Sequence, residues 1–70
     1  MNKENFTTLI VVAGSVTYVG KAARSSATDV AVWQIKRINE VDANTTDVEW
    51  ADGVDNFNKI WDDRATYSYS

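Results

Sequence analysis

Seventy residues make one domain at most, and a chain of this length buries only about 60 % of the surface its unfolded form exposes. Cysteine and histidine are absent, which excludes disulfides, thiolate zinc sites and a Ser-His-Asp relay, and leaves association with other chains as the ordinary route to added stability. A formal charge of −3, from 7 basic and 10 acidic residues, opposes nucleic-acid binding, and Lys21, Arg24, Lys36 and Arg37 are too thinly spread to form a basic cluster.

Residues 1–6 are polar and read as a flexible N-terminal arm ahead of a single small β-rich domain over 7–70. Thr7 to Val12 has strong β-propensity. Its apolar core, Leu9-Ile10-Val11-Val12-Ala13, is far short of the roughly 20 residues of a membrane helix, so it reads as a buried strand and implies no membrane partner. Ala13-Gly14-Ser15 is a turn signal, and Val16 to Ala22 alternates well enough for a second strand. Gly20 inside that strand points to a bulge or a close approach of other atoms. Ser25 to Asp29 is a loop.

Residues 30–41 fit two periods, but their Val, Ile and Trp content favours a strand, with an irregularity near Arg37 where Ile38 falls out of phase. Asp42 to Asp47 is a polar turn that joins it, as a hairpin, to a short strand over 47–50. Val54, Phe57, Ile60 and Trp61 lie at helical spacing, so a short helix or ordered loop is expected within 54–62, with Asp52 or Asp55 as its N-cap. The tail alternates again through Tyr67 and Tyr69, which predicts a final strand over 64–69. The fold class is therefore mainly β: a small single-domain sheet or sandwich-like fold with one short helix or ordered loop.

The three tryptophans, Trp33, Trp50 and Trp61, are a large aromatic load for so short a chain. They are expected to pack together or against a neighbouring subunit, with Phe57 and Arg64 as further anchors. The competing reading is an exposed aromatic platform for sugar rings, for which Tyr67 and Tyr69 are the better candidates. Asp52, Asp55, Asp62 and Asp63 are dense enough to raise a calcium site, but they lack the full loop pattern and a distal glutamate. Helix capping and pairing of Asp62 or Asp63 with Arg64 or Arg37 account for them, and the Arg64 guanidinium is expected on a carboxylate or on backbone carbonyls. No catalytic, cofactor-binding or metal residues are assigned, and enzymatic activity is not expected. The sequons Asn5-Phe6-Thr7 and Asn44-Thr45-Thr46 have no secretory context.

Several blocks occur in a fixed order: Tyr18-Val19-Gly20-Lys21-Ala22, then Trp33-Gln34-Ile35-Lys36-Arg37-Ile38, then Trp50-Ala51-Asp52-Gly53 and Trp61-Asp62-Asp63-Arg64. Over roughly residues 18–69 this resembles a group of short proteins encoded in tailed-bacteriophage and prophage genomes. That pattern often carries Pro-Gly where this chain has Ala23-Arg24-Ser25-Ser26, which puts the turn geometry there in question. The resemblance implies a phage particle component: a non-enzymatic virion structural protein of the head, tail, neck or fibre attachment. Its partners would be further copies of itself, other virion proteins, or both. The contacts are expected at Leu9, Ile10, Val11 and Val12 and at Tyr67 and Tyr69. The alternatives are a glycan-binding module on the particle surface and a small acidic phage inhibitor of a host protein.

Overall fold

The computed structural model describes residues 5–70. The flexible-arm expectation therefore lies, for residues 1–4, outside the described residues. Asn5 and Phe6 already belong to the fold: the Asn5 carbonyl accepts the Arg24 N–H, and Phe6 opens the first strand. The strands are β1 (Phe6–Ala13), β2 (Val16–Ala23), β3 (Ala31–Asp42), β4 (Thr45–Trp50) and β5 (Lys59–Ile60), followed by a 3₁₀ helix, Trp61–Thr66. The first four pair antiparallel with their sequence neighbours, in the order β1-β2-β3-β4, and β5 pairs with the start of β3. The protein is thus mainly β, as the sequence indicates. It is a single sheet, and the sandwich-like alternative is set aside.

Local chemistry explains the connections. Gly14, at φ +63°, opens a two-residue turn between Ala13 and Val16, the hairpin loop whose twist suits antiparallel strands. The Asp42 carboxylate accepts the Asn44 N–H at 2.8 Å, an Asx turn that closes the β3–β4 hairpin. The expected irregularity near Arg37 is found further on, where the register slips between Glu40 and Asp42. β4 begins at Thr45, two residues before the expected strand. In the Trp50-Ala51-Asp52-Gly53 block, Asp52 and Gly53 have φ of +56° and +73°, and Gly53 N–H donates back to the Trp50 carbonyl. Ala51, buried completely, is the small residue that lets this turn sit on the core.

Strand alternation divides the side chains cleanly. One face carries the rows Leu9–Gly20–Ile35 and Val11–Tyr18–Arg37–Glu49, with Ala22 and Trp33 beyond. The segment from β5 through the 3₁₀ helix to the tail folds over this face. The resulting core is Ala22, Trp33, Ile35, Ala51 and Trp61, flanked by Leu9, Val11, Tyr18, Tyr67 and Tyr69. Trp33 and Trp61 meet at 5.8 Å between centroids with planes tilted by 38°, and the Trp33 indole N–H donates to the Ala27 carbonyl at 2.9 Å. Trp61 lies directly over Gly20, where any Cβ would overlap its ring. The close approach expected at that glycine is therefore an indole.

Two expected elements are found displaced. Residues 54–58 are an ordered loop, held along the sheet where the Gln34 side-chain amide donates to the Asp55 carbonyl, and the short helix begins only at Trp61. The helical-looking stripe is split, with Phe57 stacked on Phe6 at the surface while Trp61 enters the core. Neither Asp52 nor Asp55 caps a helix, since the 3₁₀ helix starts after Ile60 with no side-chain cap. The final strand expected over 64–69 is shortened and shifted: Arg64 to Thr66 are 3₁₀, and only Ser68 to Ser70 pair with Trp50 to Asp52, through the Tyr69–Ala51 bridge and backbone hydrogen bonds of 2.6 to 3.2 Å. Both tyrosine hydroxyls are also engaged. The Tyr67 hydroxyl oxygen accepts the Ile60 N–H at 2.8 Å, and the Tyr69 hydroxyl donates to the Arg64 carbonyl at 2.7 Å.

Gly20→Ala is expected to cost about 3 kcal/mol through overpacking, and Trp61→Ala about 3–5 kcal/mol through the cavity it leaves. Chemical denaturation monitored by circular dichroism checks both; a Gly20→Ala protein as stable as wild type would show that Trp61 does not seat there. A second expectation concerns Ser25, held at φ +69° in a turn closed by the Ser26 N–H on the Ala23 carbonyl at 3.2 Å. Ser25→Gly should therefore stabilise by roughly 0.5–1 kcal/mol, relieving the left-handed strain. Arg24→Pro should destabilise, because it deletes the N–H bonded to Asn5. Thermal melts of the two variants should move in opposite directions.

Candidate functional site

The second face of the sheet is not covered by any other described element. It carries, in register, the rows Thr8–Lys21–Gln34, Ile10–Val19–Lys36–Trp50, Val12–Thr17–Ile38–Val48 and Glu40–Thr46. Ile10, Val12 and Val48 are 64 %, 71 % and 57 % exposed. Domains are ordinarily built of two packed layers, and solvent-facing sheet surfaces normally alternate to polar residues. Here both alternating sets of β1 are apolar: Leu9 and Val11 turn to the core, while Ile10 and Val12 turn to water. The reading of the whole run as a buried strand is corrected accordingly.

At one end of this face lies a shallow depression of about 310 Å³, lined by Thr8, Val19, Lys21, Gln34, Lys36 and Trp50. The Lys36 ammonium sits 5.6 Å from the Trp50 ring centroid, and Lys21 sits 4.6 Å from that of Phe6. Among the described residues neither lysine has a carboxylate within 4 Å, whereas Arg37 is bound to Glu49 at 2.6 Å and Lys59 approaches Asp52 at 4.0 Å. Phe57, at 44 % exposure, stacks on Phe6 at 5.9 Å and forms the rim of the same end.

The sequence-derived anchors thus separate into two groups. Trp33, Trp61 and Arg64 belong to the core side. Among the described residues Arg64 makes no carboxylate pair, and of its two expected partners it takes the backbone carbonyl. Its guanidinium lies 4.8 Å from the Trp61 ring centroid and donates to the Trp61 carbonyl at 3.2 Å. Arg37 likewise pairs with neither Asp62 nor Asp63, because Glu49 stands directly opposite it across the β3–β4 ladder. Trp50 and Phe57 belong to the open side, so the three tryptophans do not form one cluster. Leu9 and Val11 are turned inward, Ile10 and Val12 outward. Tyr67 and Tyr69 are half-buried against the core with their hydroxyls engaged, which removes them as an exposed platform for sugars. The residues that sequence reasoning missed on the open face are Val19, Lys21, Lys36, Ile38 and Val48. The unalternated run at 9–12 was their signal, since a single sheet can cover only one of its faces.

Comparison of the chain with family models finds none that matches, and no curated protein or solved structure gives a significant match.

The Tyr69 phenol is pushed up to about 12, first by burial and then by the nearby Tyr18 phenol, with Arg37 and Arg64 acting in the opposite direction. A phenol whose folded value is raised keeps its proton while the unfolded chain loses its own. Its contribution to stability is therefore complete below about pH 10 and is lost as pH rises through about 12. Ultraviolet difference titration should show one tyrosine ionising late, together with unfolding, and Tyr69→Phe should remove that late step.

Proposed function

We propose that this chain is a non-enzymatic structural subunit of a tailed-bacteriophage particle, acting by protein–protein contact in many copies. The observation that supports the reading best is the uncovered sheet face with Ile10, Val12 and Val48 turned to solvent. A domain this small is ill placed to leave such side chains wet, and assembly would bury them. The outer edge of β1 adds to this. It is eight residues long, uncharged and regular in register over its whole length, with none of the lysines, prolines or bulges that ordinarily blunt an edge. The phage setting comes from the resemblance of the Tyr-x-Gly-x-Ala, Trp-Ala-Asp-Gly and Trp-Asp-Asp-Arg blocks. The fold gives those blocks a shared structural purpose: seating Trp61 and turning the chain at Asp52-Gly53.

The glycan-binding alternative retains one specific observation, the half-exposed Trp50 indole beside Gln34 and Lys36 at the depression. Quenching of tryptophan fluorescence by sugars, lost in Trp50→Ala, would favour it. The assembly reading is tested by mass spectrometry of purified particles from the phage that encodes the chain. Stoichiometric amounts are expected. Complete absence from the particle would instead favour the inhibitor alternative.

A further inference from the structure

We propose that the open sheet face pairs with the open face of a second copy of this chain, about a two-fold axis running across the strands. The proposal rests on the assembly reading and names its first partner. Its physical basis is the order of side chains along that face. Gln34 and Lys36 stand at one end of β3 and Glu40 at the other, with Ile38 between them and the apolar residues Ile10, Val12, Val19 and Val48 on the neighbouring strands. The surface is therefore positive at one end, apolar in the middle and negative at the other, which is the pattern a self-complementary contact requires.

The charges also select the axis. A two-fold across the strands, passing between Lys36 and Ile38, lays β3 antiparallel over its counterpart. The row Ile10–Val19–Lys36–Trp50 then covers Val12–Thr17–Ile38–Val48 of the other copy, and Gln34 and Lys36 flank the other copy's Glu40. A two-fold along the strands keeps each row over itself in reversed order, which sets the lysine-bearing end of one copy over the same end of the other, and like-charge repulsion disfavours that. Asp55 lies in the loop beside the positive end, yet neither lysine is within 4 Å of its carboxylate, so both ammoniums stay available. Packing two such sheets about 10 Å apart would create the sandwich that one chain alone does not form.

The area fits a reversible dimer. Four strands about 4.8 Å apart and roughly eight residues long at about 3.3 Å per residue give a flat footprint on the order of 500 Å² per copy. This lies at the lower end of specific interfaces, so dissociation in the micromolar range is expected.

Sedimentation velocity of the purified chain over that range tests the proposal. A monomer–dimer equilibrium is expected, weakened about 100-fold or more by Val48→Asp, which would bury an unpaired carboxylate. Lys36→Glu and Glu40→Lys should each weaken it about tenfold, because each contact occurs twice in the dimer. The double variant carrying both reversals should recover most of the wild-type affinity. Melting at concentrations where the chain is monomeric controls for folding of every variant. A chain that stays monomeric throughout overturns the pairing, as does a dimer indifferent to Val48→Asp and to the charge reversals. If that monomer still sediments with particles, the assembly reading stands without the homodimer; if it does not, both fail.

Discussion

The contact between Trp61 and Gly20 is the constraint on which the rest of the fold depends. A sheet of four hairpin-linked strands has no core until something covers one face, and among the described residues Trp61 is the buried aromatic delivered to that face from beyond β4, with Tyr67 and Tyr69 packed beside it. It reaches the sheet because position 20 has no Cβ. Ala22 and Ala51, also small and fully buried, keep the surrounding floor low, and Trp33 and Ile35 form its walls. The Asp52-Gly53 turn lies upstream of this contact, and the Arg64 guanidinium closes over the indole from the solvent side. The features that look like separate motifs in the sequence are parts of one seat.

Much of this architecture was legible in the residues. The β-rich strands, the β3–β4 hairpin and the special status of Gly20 follow from β-propensity, turn chemistry and the rarity of glycine within a strand. What was not legible lies after Gly53. Phe57 and Trp61 sit four apart, as on a helix, but their side chains serve opposite sides of the sheet. Tyr67 and Tyr69 sit two apart, as on a strand, but the chain pairs only over its last three residues, and the two hydroxyls reach to Ile60 and Arg64. Periodicity reports which residues share a face only when one regular element carries them, and here tertiary contacts set the spacing instead. Trp50 shows the same limit, since nothing local states which side of a sheet a lone tryptophan at the end of a strand will occupy.

The two faces differ electrostatically as well as in packing. On the covered face each cation is committed: Arg37 to Glu49 and the Tyr69 ring, Arg64 to Trp61, and the buried Lys59 to Asn58 and, more distantly, Asp52. On the open face Lys21 and Lys36 rest on aromatic rings, contacts that hold the side chains in place without neutralising them. The molecule as a whole is acidic, yet this surface ends in a cationic strip, so charge can orient a partner that apolar contact then holds.

The placement of Trp61 also governs the order of events during synthesis. β1, β2, β3 and β4 pair only with sequence neighbours, so each hairpin can zip as soon as its second strand leaves the ribosome. The cover for their shared face arrives 41 residues after the glycine that receives it, as the difference between positions 61 and 20 shows. Until Trp61 docks, the sheet has no dry side at all. The time between hairpin pairing and that docking therefore sets how long its apolar residues are exposed to wrong partners, half-folded copies of the same chain included.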